Sequence, residues 1–427
     1  MAIRVIPDDT VLQNAAVAIQ SKDHGGKMGI DEFEGRINAL PSLPLEEKDV
    51  NFYDYDGTVL YAFSKQEALN LEALPALPTR EGLIAQEWNW DLADIKDYVT
   101  EYGACDIGAN YTTDDGATRL YLHIENENEL VLTLNVQILT LGTLTVEHEN
   151  VVLASSSRTG ENALSFTIPT PTAFPYDTFI SVKISGNGTY RFGTNNATSY
   201  TVLADKQYLL TKAETGDNLE QLSHYSFYRT ANLKSISISS NIKNYLGNSA
   251  FSQSGLKHFN FSKQIAGTSN YAFQNSFNLK SISAAKGTNL IGSNGLLNTG
   301  IVKLVVPKKV STVNGCIFLK KIILSSSQTA IDISTFNSTT SLVELTLPNS
   351  IIAIGNNAFQ GSAIRVLDLT AYTDPTAIPT LGSSVFYNVP SGLTILVKNQ
   401  EMYDAFTSAT NWSAYASRFQ IKPSGVI

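Results

Sequence analysis

The chain has 427 residues, 43% hydrophobic and 16% charged, a balance that excludes a disordered polymer and leaves room for several cores. No apolar run approaches the length of a bilayer crossing, so no helix is expected to insert in a membrane. The formal net charge of −9 hides a split, because residues 1–217 carry 14 Lys/Arg against 32 Asp/Glu and residues 218–427 carry 16 against 7; a basic half of this kind attracts polyanions.

Residues 1–45 read as two short helices, with Leu12, Ala15, Ala16 and Ile19 on one face of the first and Ile30, Phe33, Ile37 and Leu40 on one face of the second. His24-Gly25-Gly26 separates them, and Pro41 and Pro44 stop the second. So small a pair cannot bury its stripes alone, so an attachment role is expected: docking on the next domain, on a second copy or on an assembly. Asp8 and Asp9 interrupt the apolar core that an export signal would need, and none is expected.

Residues 46–118 read as a small α/β module. Val50–Tyr55 and 58–62 flank the turn pair Asp56-Gly57, Ser64-x-x-Glu67 is a capping box, and Asp91 opens a helix with Leu92, Ile95, Val99 and Tyr102 inward that Gly103 closes. Asp115-Gly116 predicts a second hairpin. Trp88 and Trp90 alternate just before the second helix, which places at least one of them in the core. Residues 119–210 alternate strongly, as in Leu120/Leu122/Ile124 and Leu130/Leu132/Leu134/Val136, and predict a β-sandwich of about seven strands. A polar joint, residues 211–217, follows.

From Leu233 onward one pattern recurs, L-x-x-L-x-L, then a polar run, then an Ala-Phe-like pair. Its first residues are Leu233, Leu256, Leu279, Ile301, Leu319, Leu342, Ile364 and Leu393, with an aromatic or aliphatic anchor between strands at Phe227, Phe251, Phe273, Leu296, Phe318, Phe336, Phe359 and Phe386. A single strand-and-turn unit cannot bury such a row, but stacked units can, so residues 211–398 are expected to form a solenoid and residues 399–427 its C-terminal cap. The predicted fold class is therefore multidomain α+β: N-terminal helices, a small α/β module, a β-sandwich, a leucine-rich solenoid and a capping helix.

The wording of the repeats, clearest in LVELTLPNSIIAIGNNAFQGSAIRVLDL from Leu342 to Leu369, resembles the BspA-like leucine-rich repeats of bacterial surface proteins, and LTILVKNQEMYDAFTSATNWSAYASRFQI resembles the end of such arrays. The unit after Ile301 is short, at 18 residues. The stretch from Val50 to Ile124 resembles an N-terminal module of tail-associated phage and prophage proteins of gut Firmicutes, and the opening DTVLQNAAVAIQSK is similar to the helical starts of such proteins. The sandwich is loosely similar to PKD-type or immunoglobulin-like domains.

Chemistry is sparse. The five histidines are scattered, Cys105 and Cys316 stand far apart with no ligand cluster, and Asp54-Tyr55-Asp56-Gly57 and Asp114-Asp115-Gly116 lack the oxygen ligands of a calcium loop, so neither enzyme activity nor cofactor is expected. The sharper feature is basic. Position two of the repeat runs Lys234, Lys257, Lys280, Val302, Lys320, Val343, Arg365, and position three adds His258, Lys303 and Lys321. Stacking sets equivalent positions about 4.8 Å apart, which makes basic columns suited to an anionic polymer such as teichoic acid or an acidic capsule. The same lysines could instead be solvated guards against sheet aggregation. No nucleic-acid motif accompanies them.

These features together predict a virion protein of a phage or prophage, tail-associated and receptor-binding. Residues 1–120 would join it to other virion proteins or to a second copy, and the basic face would meet an anionic glycopolymer or protein of the host surface. The alternatives are a bacterial cell-surface adhesin of the BspA type, a purely architectural virion protein and a carbohydrate-active enzyme.

Overall fold

The computed structural model describes residues 46–125, 130–168, 177–193 and 201–423. The helices expected over residues 1–45 lie outside these. Residues 46–427 form one compact unit, rich in strands and poor in helices.

The first part is a four-stranded sheet. β1 (Val50–Tyr53) and β2 (Val59–Phe63) form the expected hairpin, and Ser64 caps α1 (Lys65–Leu69) through the capping box with Glu67. β3 (Leu83–Trp88), α2 (Leu92–Tyr102) and β4 (Cys105–Thr113) complete it in the order β2-β1-β4-β3, with β4 parallel to β1. Gly103 ends α2 in the left-handed conformation, at φ 82°, that glycine adopts without cost. Ile95, Tyr98 and Val99 are the buried residues of α2; Leu92 and Tyr102 are only half-buried. Asp115-Gly116 does make a turn, but not a hairpin: β4 stays in the first sheet, while β5 (Thr118–Ile124) enters another.

Two sheets share the next core. β6 (Val131–Ile138), β7 (Leu144–His148), β8 (Val151–Ser156), β9 (Gly160–Thr167), β10 (Thr178–Gly186) and β11 (Tyr190–Phe192) alternate as the sequence predicts, and with β5 they make seven strands. Neither sheet stops there. β12 (Leu210–Glu214) pairs antiparallel with β5 and parallel with the first repeat strand, Ser235–Ser237, and β13 (Leu219–Leu222) pairs parallel with β11. The first repeat thus grows out of the two sheets, and one apolar core runs unbroken from Leu120 to Phe419.

The repeats stack by parallel pairing. His258–Asn260 pairs with Ser281–Ser283, Lys303–Val306 with Lys321–Leu324, and Glu344–Thr346 with Val366–Asp368 and then Thr394–Val397. Inside, anchor rings stack in two runs: Phe227, Phe251 and Phe273 at 5.2 and 5.5 Å, and Phe336, Phe359 and Phe386 at 5.1 and 5.6 Å. Leu296 and Val313 link the runs. Phe318, expected as an anchor, is 48% exposed. The short unit reaches its turn early, and Val313 fills the place: its N–H donates to Thr335 as the Phe336 N–H donates to Ala358.

Three residues after six of the anchors, Phe227, Phe251, Phe273, Leu296, Phe336 and Phe359, stands a buried hydroxyl, at Thr230, Ser254, Ser276, Thr299, Thr339 and Ser362. Thr230, Thr299 and Thr339 each donate to the carbonyl of their own anchor. In the short unit this place belongs to Cys316, whose Sγ donates to the Leu296 carbonyl at 3.1 Å. The thiol is therefore a substitute for a hydroxyl, and burial pushes its pKa up to about 11. At the far end α3 (Gln400–Ser408), capped by Asn399, buries Met402 and Phe406, and Trp412 is buried with its Nε1 donating to the Pro379 carbonyl.

Candidate functional site

In the repeat strands, positions one, four and six point into the core, so positions three and five face outward. Position five reads Ser237, Asn260, Ser283, Val305, Ile323, and of these only Ile323 is not fully buried. The cover is the chain's own first sheet. Asn260 Nδ2 donates to the Ala109 carbonyl at 3.0 Å, and Asn89 Nδ2 donates to the carbonyls of Phe261 and Ser283 at 2.9 and 2.8 Å. Trp90 Nε1 donates to the Ala284 carbonyl, the Tyr98 hydroxyl to that of Val306, and Val305 joins the apolar core of the first sheet. Gly108 leaves room for the Asn260 side chain, since a Cβ there would collide with Asn260 Oδ1.

Ion pairs follow the same seam. Lys263 pairs with Glu87 and Asp91, Lys286 with Asp94, and Lys303 with Asp106. Three lysines of the basic half thus pair with acids of the acidic half.

Two of the expected binding residues belong to this seam. Lys303 keeps only 13% of its side chain exposed and bonds Asp106 at 2.8 Å. His258 is buried against the Tyr53 ring at 4.8 Å, its Nε2 donating to Asn260 Oδ1 and its Nδ1 accepting from Ser281 Oγ. Burial pushes its pKa down to about 4, against the opposing pull of the Asn260 hydrogen bond. Neither can reach a ligand, because β1, β2 and β4 bring their own sheet onto position three. The tryptophans offer no sugar platform either: Trp88, Trp90 and Trp412 are all buried.

Position two lies at the edge of the covered face. Lys234, Lys257, Lys280, Lys320 and Arg365 are exposed there, as is Lys321 at position three. Their backbones form a ladder, Lys257 N–H to the Lys234 carbonyl and Lys280 N–H to that of Lys257, which fixes one side chain per repeat. Lys234, Lys257 and Lys280 line a shallow groove of about 460 Å³ together with Ala231, Asn232, Gly255 and Asn278. Lys280 Nζ also lies over the Phe318 ring at 4.9 Å, beside exposed Phe277, Val302 and Ile317. Among the described residues none of these cations has a carboxylate partner, whereas Lys243, Lys263, Lys286, Lys303 and Lys422 do.

Among the described residues no three His, Cys, Asp or Glu side chains gather as a metal site, and no helix is long and apolar enough to cross a membrane. Asp54 and Asp56 serve the hairpin: Asp54 accepts Arg80, and Asp56 accepts the Thr58 N–H.

The model of the BspA type leucine-rich repeat region matches residues 205–321 and 314–411, in six copies, a match that begins ahead of β12. No curated protein matches the chain. Solved structures that resemble it include a leucine-rich repeat protein from Eubacterium ventriosum (14% identity, 51% of this chain and 74% of that one, TM-score 0.28). A leucine-rich cell-surface protein from Faecalibacterium prausnitzii follows (15% identity, 49% and 78%, TM-score 0.26), with a leucine-rich repeat protein from Bacteroides ovatus (15% identity, 49% and 76%, TM-score 0.21). Residues 205–411 match the BspA type of leucine-rich repeat. The family match falls wholly in residues 205–411, outside the segments whose wording suggested a virion.

Proposed function

We propose that the chain is a bacterial cell-surface, adhesin-like protein that holds an anionic glycopolymer along the edge of its repeats, through Lys234, Lys257 and Lys280 with Lys320 alongside. One observation carries this reading: these cations are exposed, in register and without carboxylate partners, while five other lysines of the same half are paired. Like charges stacked at repeat spacing gain nothing for folding, so the column calls for a ligand that supplies negative charge. The virion reading gives way because it rests on the wording of residues 1–124, while the repeats carry the family match.

The test is binding of the full chain to purified wall teichoic acid across a salt series. Saturable binding that weakens as salt rises, and is lost in Lys234→Glu/Lys257→Glu/Lys280→Glu, supports the proposal. Binding that the triple variant leaves unchanged, or none in low salt, rejects it.

A further inference from the structure

Asn51, Asp106 and Lys303 meet in the seam between the first sheet and the repeats, apart from the lysine column. Asn51 and Asp106 are register partners on the parallel strands β1 and β4, so their side chains leave the sheet on one face. Lys303 opens the fourth repeat strand. One oxygen joins all three: Asp106 Oδ1 accepts Lys303 Nζ at 2.8 Å and Asn51 Nδ2 at 2.9 Å. The Asn51 carbonyl accepts the Lys48 backbone N–H at 2.7 Å. Asn51 and Asp106 are buried, and their chain neighbours Val50, Phe52, Cys105 and Ile107 belong to one apolar core with Val305 of the Lys303 strand.

An ion pair alone needs two groups. The third, an amide held at both its nitrogen and its oxygen, sets a nucleophile and an acyl group on the same oxygen of one proton carrier. We propose that Lys303 and Asn51 join through an isopeptide bond, with Asp106 as the proton carrier. Asp106 takes a proton from Lys303 Nζ, and the freed lone pair attacks Asn51 Cγ. The carbonyl electron pair moves onto Oδ1, where the Lys48 N–H stabilises the charge. As the carbonyl reforms, the Cγ–Nδ2 bond breaks, Asp106 returns its proton to the departing nitrogen, and the second proton of the attacking nitrogen passes through the same carboxylate to give the ammonium ion. The lysine ammonium and the asparagine amide become a secondary amide and an ammonium ion, so atoms and charge balance and no oxidant is needed. Holding both reactants on one carboxylate replaces a bimolecular encounter by a positioned one.

Intact-mass measurement and peptide mapping of the purified full chain, followed over days at neutral pH, test this. The expected result is a mass below the sequence mass by one ammonia molecule, and a branched peptide joining residues 51 and 303. Lys303→Arg, which keeps the ion pair, and Asp106→Ala should both retain their full sequence mass. A folded wild-type chain at full sequence mass overturns the proposal, whatever the variants do. So does loss of ammonia with residues 51 and 303 in separate peptides, as a local succinimide would give.

Discussion

Lys280 and Lys303 stand on adjacent repeat strands, one place apart in the same pattern, and meet opposite surroundings. Lys303 ends against Asp106 in a closed seam, while Lys280 ends in solvent above the Phe318 ring. The difference is set by position. At His258 and Lys303 position three turns toward the chain's own first sheet, which fills that part of the outward face with polar and ionic contacts; position two turns to the edge, where nothing in the described chain answers its charge. A basic column on a repeat surface is therefore no evidence of a ligand until the rest of the chain has been placed on it.

The largest effect expected on the covered side is that of Trp90→Ala, which removes a buried ring and its bond to Ala284 and should cost about 3–5 kcal/mol in denaturant unfolding. A loss below about 1 kcal/mol would mean that the seam is loosely packed. Next comes acid. His258 is held neutral in the fold, with its pKa lowered from 6.5 to about 4, so its contribution is complete above pH 6.5 and is lost as pH falls toward 4, because the unfolded chain takes up the proton first. Stability should fall through that window by up to roughly 1.4 kcal/mol per pH unit, and His258→Phe should flatten the slope. A slope unchanged in the variant would assign the acid sensitivity elsewhere.

Smaller effects separate the two sides further. Lys263→Ala breaks pairs with Glu87 and Asp91 whose partners are partly exposed, so it should cost at most about 1 kcal/mol. On the open edge, Lys257→Glu with Lys280→Glu should leave stability within about 0.5 kcal/mol, since no described partner is lost. A marked destabilisation by that pair would show that the column serves the fold rather than a ligand.

The repeats were legible because each unit restates the same burial pattern, and the capping box at Ser64 and the glycine after α2 were legible because they are local. Phe318 was misplaced because a short unit shifts its turn, which the count of 18 residues signalled without saying which residue would take the anchor. The covering of the outward face was missed. It depends on residues 89–110 meeting residues 258–306, a pairing that no local pattern encodes. One signal was present: Val305 and Ile323 are apolar at position five, where an open face would carry a polar residue such as Thr346. The acids Glu87, Asp91, Asp94 and Asp106 opposite Lys263, Lys286 and Lys303 were visible as composition, but only the fold assigns them to one another.

The central claim is that Lys303 is covered by the chain's own first sheet while the lysines of position two are open. Amine-reactive labelling of the native full chain, resolved by peptide mass spectrometry over time, tests it most directly. Lys234, Lys257, Lys280 and Lys320 should label rapidly while Lys303 stays unlabelled in the folded chain. Labelling of Lys303 at the rate of Lys257 in the folded protein would contradict the account.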